Sequence, residues 1–268
     1  MVDKLSISKA WDEVRAIIAR DGSLLMTIAL ALFVLPGVIS ETVTPEAPAG
    51  ELPPLGYWTA VTVVALLIAL VGQLAVIRLG TGSRATVGEA IGDGARRAPA
   101  YLAASLIWLL PFLLIGAALL GIVARDPENP SGPAVIGLLL LVCVMLYFAI
   151  RMLMTSAVAS TESSNPLTII RRSWELTRGN WLRLLGFFLV FLLGALLVVV
   201  AVGQIVGIVA ELALGGTEPM TVGGLLTSLI TQIVGAAVSV LLMLMIARIY
   251  VQLAGVRPAE ASVPHSGT

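Results

Sequence analysis

Six long apolar stretches, at about 24–40, 57–79, 100–124, 134–156, 182–206 and 226–252, decide what this chain can fold into. A helix needs about 20 apolar residues to cross the hydrocarbon core of a bilayer. In lipid a helix satisfies its own backbone, whereas an open strand does not. No period-two alternation runs through these stretches, so all six read as helices. Charged residues make up only 12% of the 268 and apolar ones 58%. A soluble domain carries about 25% charged residues, so a soluble enzyme is excluded, and the chain is far too apolar for disorder. The expected class is all-α: a polytopic membrane protein with six transmembrane helices in one domain over 1–255, followed by a flexible cytoplasmic tail over 256–268.

The first apolar run starts near Leu24 behind mixed residues, so no cleavable leader is expected. The first run is short, with Pro36 near its end. The tracts 182–214 and 219–254 exceed one crossing. They either tilt or break into surface helices, the former at Gly203 and Gly207.

Basic residues then set the direction, because cytoplasmic loops collect lysine and arginine. If the chain crosses six times, fifteen of its sixteen cations fall on one side. They include Lys4, Lys9, Arg15 and Arg20 before the first span, and Arg78, Arg84, Arg96 and Arg97 after the second. Arg151, Arg171, Arg172, Arg178 and Arg183 follow the fourth, and Arg248 and Arg257 close the chain. Arg125 alone lies opposite, where the loops are expected to carry Glu41, Glu46, Glu51, Asp126, Glu128, Glu211 and Glu218. Both termini are therefore expected in the cytoplasm. The net charge of zero gives no field that would recruit nucleic acid.

Three segments look alike. Each begins with a helix cap (Ser8, Thr86, Asn165), continues as an amphipathic helix, breaks (Gly22, Pro99, Gly179) and enters a span. The caps are 78 and 79 residues apart and the breaks 77 and 80. Thr86 with Glu89 fits a capping box, and Asn165-Pro166 fits an N-cap with proline at the first helical position. Each odd span carries a softening residue (Pro36, Pro111, Gly194), and each even span ends near an arginine (Arg78, Arg151, Arg248). The expected plan is three pseudo-repeats, about 5–80, 85–160 and 164–254, each an interfacial helix plus a two-span hairpin. Two spans per unit keep the units in one orientation, around an axis along the membrane normal.

In the first amphipathic helix Ile7, Ala10, Trp11, Val14 and Ile18 form the expected apolar stripe; in the third, Leu167, Ile170, Trp174 and Trp181 do. These helices either serve as elbows packed on the bundle or bind anionic headgroups or a cytoplasmic protein partner. The residues that would form the binding face are Arg171, Arg172, Trp174, Arg178, Arg96, Arg97, Trp11 and Arg15.

Convergent catalytic groups do not appear. The only histidine is His265, in the polar tail, which argues against a histidine triad or histidine metal site. No acidic residue is expected deep in a span and no P-loop is present. Neither catalysis nor a cofactor is therefore expected. The intramembrane polar candidates are Gln73, Arg151 and Gln232. The glutamines either hydrogen-bond between helices or line a polar path; Arg151 snorkels or meets a helix end, or else contacts a lipid phosphate in a groove. The lone Cys143 sits in an apolar run and reads as buried or lipid-facing.

From Glu162 the chain reads ESSNPLTIIRRSWELTRGNWLRLLG. This resembles the signature of the bacterial membrane-domain family named after glycerophosphoryl diester phosphodiesterase, and of related YciC-type inner-membrane proteins. The matching positions are Glu162, Arg171, Arg172, Ser173, Trp174, Leu176, Thr177, Gly179 and Asn180. The resemblance implies a six-span bacterial inner-membrane domain without the soluble catalytic module, with a role in envelope lipid handling. Two functions stay open: a non-enzymatic membrane organiser with a basic cytoplasmic face, and a transporter or permease subunit with a polar path between its repeats.

Overall fold

The computed structural model describes residues 5–45, 53–82, 85–126, 129, 131–162, 164–216 and 221–255. The tail over 256–268, with His265, and the basic residues Lys4, Arg84 and Arg257 lie outside them, as do Glu46, Glu51, Glu128 and Glu218. The described elements are α1 (Ile7–Ala29), a π-helical turn (Leu30–Val34), α2 (Leu35–Val43), α3 (Tyr57–Gly80), α4 (Val87–Val123), α5 (Gly132–Arg151), α6 (Thr155–Thr161), α7 (Pro166–Thr177), α8 (Trp181–Leu214) and α9 (Val222–Ala254). Six helical stretches are long and apolar enough to span a membrane, as expected.

Their bounds differ from the sequence expectation in instructive ways. Ile7–Val43 is one helical run of 37 residues, so Gly22 does not break it. At 1.5 Å per residue that is about 55 Å, enough for an interfacial arm and a span together. Glycine inside a helix costs only about 1 kcal/mol, too little to stop it. Pro36 acts instead. It has no N–H for the Leu32 carbonyl, and just before it the helix widens to π geometry, with the Leu35 N–H reaching Leu30 O. Pro99 and Pro111 likewise lie within the single 37-residue α4. Gly179 alone breaks its segment, with φ +85 between α7 and α8. Gly203 and Gly207 interrupt nothing; α8 runs through them. Within the fourth apolar stretch, Gly132–Thr161, helix α5 stops at Arg151, because the chain turns at Met152–Met154 into the short buried α6.

Ser6, not Ser8, caps α1, accepting from the Lys9 N–H at 3.3 Å. Thr86 and Asn165 cap α4 and α7 as expected, and the Thr86–Glu89 capping box is formed.

α3 packs closely on α4 and α9, and α9 also on α1 and α8; α5 meets α7 and α8 sparsely. The core sits at one end of the bundle. There Leu74–Ile77 of α3, Leu244–Val251 of α9 and all of α6 up to Ser160 are buried. Cys143, in the middle of α5, is exposed on the outer surface of the bundle.

Candidate functional site

The three arginines that close the even spans gather at the core end, and two of them meet a carboxylate on an amphipathic segment. Arg78 Nε lies 3.0 Å from Asp93 Oδ2 at the start of α4, and Nη1 donates to Ser160 O at 3.2 Å. Arg248, 8% exposed, holds Glu13 Oε2 of α1 at 2.6 Å and donates to Gly80 O. Gln252 completes the α1–α9 clasp by bonding both backbone groups of Ser6.

Arg151 is different. Its Nε and Nη2 donate to the Tyr147 hydroxyl at 3.2 and 3.1 Å. Its Cζ lies 4.8 Å from the Trp174 ring centroid and 5.4 Å from that of Tyr147, a cation–π arrangement. Trp181 also packs on Tyr147, ring centroids 5.5 Å apart. Arg151 Nη1 and Trp181 Nε1 are both enclosed and meet no acceptor among the described residues. A buried donor without a partner costs about 1–3 kcal/mol.

The ESSNPLTIIRRSWELTRGN stretch builds this junction. Ser173 Oγ and Thr177 Oγ1 donate to the Arg151 carbonyl at 2.8 and 3.4 Å, satisfying the frayed end of α5. Trp174 stacks on the Arg151 side chain. Glu162 accepts from Arg172 Nε at 2.9 Å and from the Tyr250 hydroxyl at 2.6 Å, tying α7 to α9. The buried face of α7 is thus Ile169, Ser173, Leu176 and Thr177; Leu167, expected in its stripe, is 67% exposed. In α1, Ala10 and Val14 are buried while Trp11 and Ile18 face out.

The proposed basic face therefore divides. Arg171 and Arg96 keep 84% and 81% of their side chains exposed, each beside a carboxylate, Glu175 and Asp93. Arg15, Arg178 and Trp11 are also exposed. Arg97 instead donates to Ala159 O at 3.0 Å, and Arg172 is engaged with Glu162. Sequence reasoning missed Tyr147, Tyr250, Glu13 and Asp93. The spacing of Tyr147 and Arg151, one helical turn apart, was a local signal for one of these contacts.

At the other end Glu41 corrects an expectation. It is not in a loop but in the last turns of α2, where Oε2 accepts from Ser228 Oγ at 2.6 Å and Gln232 Nε2 at 3.2 Å. It borders a cleft of about 490 Å³ between α2, α3 and α9, whose polar lining includes Ser40, Thr62, Gln232 and Ser239. Gln73 is not part of that lining. It donates to the Tyr101 hydroxyl at 3.3 Å.

Six apolar spans, with polar groups confined to helix ends and a few interhelical contacts, define an integral membrane protein. The chain belongs to the family described as "Domain of unknown function (DUF7847)", whose model matches residues 5–253. No curated protein and no solved structure matches it.

Proposed function

We propose that this protein is a non-catalytic membrane organiser, built of three related helical units, whose basic end gathers anionic lipid headgroups at the cytoplasmic leaflet of a bacterial inner membrane. One observation carries the reading: Arg15, Arg96, Arg171 and Arg178 all point outward at the same end of the bundle, with Trp11 exposed among them. Each basic side chain near an anionic surface contributes about 1 kcal/mol of attraction, and tryptophan favours headgroup depth. The close spacing of the caps Ser6, Thr86 and Asn165, 80 and 79 residues apart, supports the three-unit plan. The resemblance of the α7 segment to bacterial membrane domains points towards envelope lipid handling. A cytoplasmic protein partner is the other occupant such a face would accept.

The test uses full-length protein in vesicles of mixed phosphatidylcholine and phosphatidylglycerol. Gentle extraction followed by lipid mass spectrometry should find phosphatidylglycerol enriched around the wild type. Replacing the four exposed arginines by glutamine should remove most of that enrichment. Equal enrichment at low salt would sink the headgroup reading.

The Glu41 cleft favours a second reading, transport of a small polar or cationic solute. Choline is a suitable probe. A thermal shift seen in the wild type and lost in Glu41→Gln supports it, and no shift in the wild type removes it.

A further inference from the structure

We propose that Arg151 anchors a binding site for the phosphate of a single membrane phospholipid, at the seam between α5 and the α7–α8 junction. The inference rests on the lipid reading for its ligand class but on different residues. It begins with register. Counting seven residues on from each cap gives Glu13 after Ser6, Asp93 after Thr86 and Arg172 after Asn165. The first two are the carboxylates that neutralise Arg248 and Arg78. At the third position stands a cation, which turns to Glu162 instead. Arg151 is thus the even-span arginine left with no ion pair among the described residues.

The surroundings of Arg151 are made for an anion of fixed shape. Tyr147 and Trp174 hold the guanidinium by hydrogen bonds and ring faces, so it is positioned before any ligand arrives. That leaves Nη1 of Arg151 and Nε1 of Trp181, both enclosed and without an acceptor among the described residues, each in a side chain that packs against the same tyrosine ring. A phosphodiester has two non-bridging oxygens to offer such donors, and arginine favours phosphate by its planar fork. A lipid is the fitting source. α5 and α8 meet only sparsely, and their outward side chains are apolar, with Leu139, Leu182 and Leu193 all more than half exposed. Acyl chains would lie along this surface, with the phosphate at the depth where interfacial tryptophan and tyrosine sit.

The experiment is native mass spectrometry of the full-length protein, delipidated and titrated with phosphatidylglycerol, with sn-glycerol 3-phosphate as the soluble control. One phosphatidylglycerol should bind ahead of the rest. Arg151→Gln should weaken that first event at least tenfold. Arg151→Lys, which keeps the charge and guards against a folding artefact, should weaken it by a smaller factor because the fork is lost. The first event should survive in the variant lacking the four exposed arginines, whereas Arg151→Gln should leave the general enrichment around that face intact. An unchanged first affinity in Arg151→Gln, or equal binding of sn-glycerol 3-phosphate, overturns the proposal.

Discussion

At the scale of single residues, glycines separate what holds helices together from what merely occupies them. A Cβ at Gly94 would stand 2.9 Å from the Val71 carbonyl oxygen, a backbone atom that side-chain rotation does not move. The α3–α4 contact is therefore set by the absence of a side chain there. Gly203 and Gly207, four apart in α8, have nothing within 4 Å. Gly94→Ala should lower the melting temperature in detergent, by an overpacking cost of about 1–3 kcal/mol. Gly203→Ala should leave it unchanged or raise it, since alanine is the better helix former by up to about 1 kcal/mol. Circular dichroism melts of both variants check this, and an equal loss in the two would refute the distinction. Sequence alone does not tell these glycines apart, for a physical reason. Spacing shows that two small residues share a helix face, but not whether a neighbour lies against that face.

At the scale of elements, the capping chemistry and the basic ends of the even spans were legible because both are local. Asn165-Pro166 and Thr86-x-x-Glu89 satisfy their own backbone donors and need no tertiary context. What α7 does with its faces was not legible. Its side towards the bundle carries Ser173 and Thr177 as well as Ile169, because the end of α5 needs donors there. A hydrophobic stripe does not report that demand. The contact between α1 and α9 gives the measurable consequence. Arg248 is almost enclosed and Glu13 is its only carboxylate partner among the described residues. Glu13→Gln should cost about 3 kcal/mol, because it leaves a buried guanidinium without its counter-charge. Adding Arg248→Gln to it should cost less than the two separate losses together, a coupling read from a double-mutant cycle of thermal melts. The exposed Arg171–Glu175 pair, treated the same way, should show under about 0.5 kcal/mol. Similar couplings for both pairs would contradict the burial assigned to Arg248.

At the scale of the whole molecule, bilayer physics made the six spans readable, because no other solvent demands such long uncharged helices. The position of the core was not readable in that way. Apolar side chains look alike whether they face lipid or another helix, so composition does not reveal that α8 is largely exposed while α6 is enclosed. Charge is the asymmetry that does survive at this scale. The described cations lie overwhelmingly at the end where α1, α4 and α7 begin; Arg125 lies at the other, beside Asp126. Holding a helical bundle with that asymmetry the other way would move every one of those cations across the membrane, against the insertion bias that keeps basic segments inside. In a Cys143→Ser background, single cysteines at Asp126 or Glu211 should therefore react with an impermeant maleimide on intact cells. Cysteines at Ser8 or Glu175 should react only after the membrane is opened. All four positions belong to exposed or half-buried residues, so reactivity reads sidedness rather than burial. The opposite pattern would place the arginine-rich end, and with it the lipid reading, on the outer face, where the basic side chains have no cytoplasmic leaflet to meet.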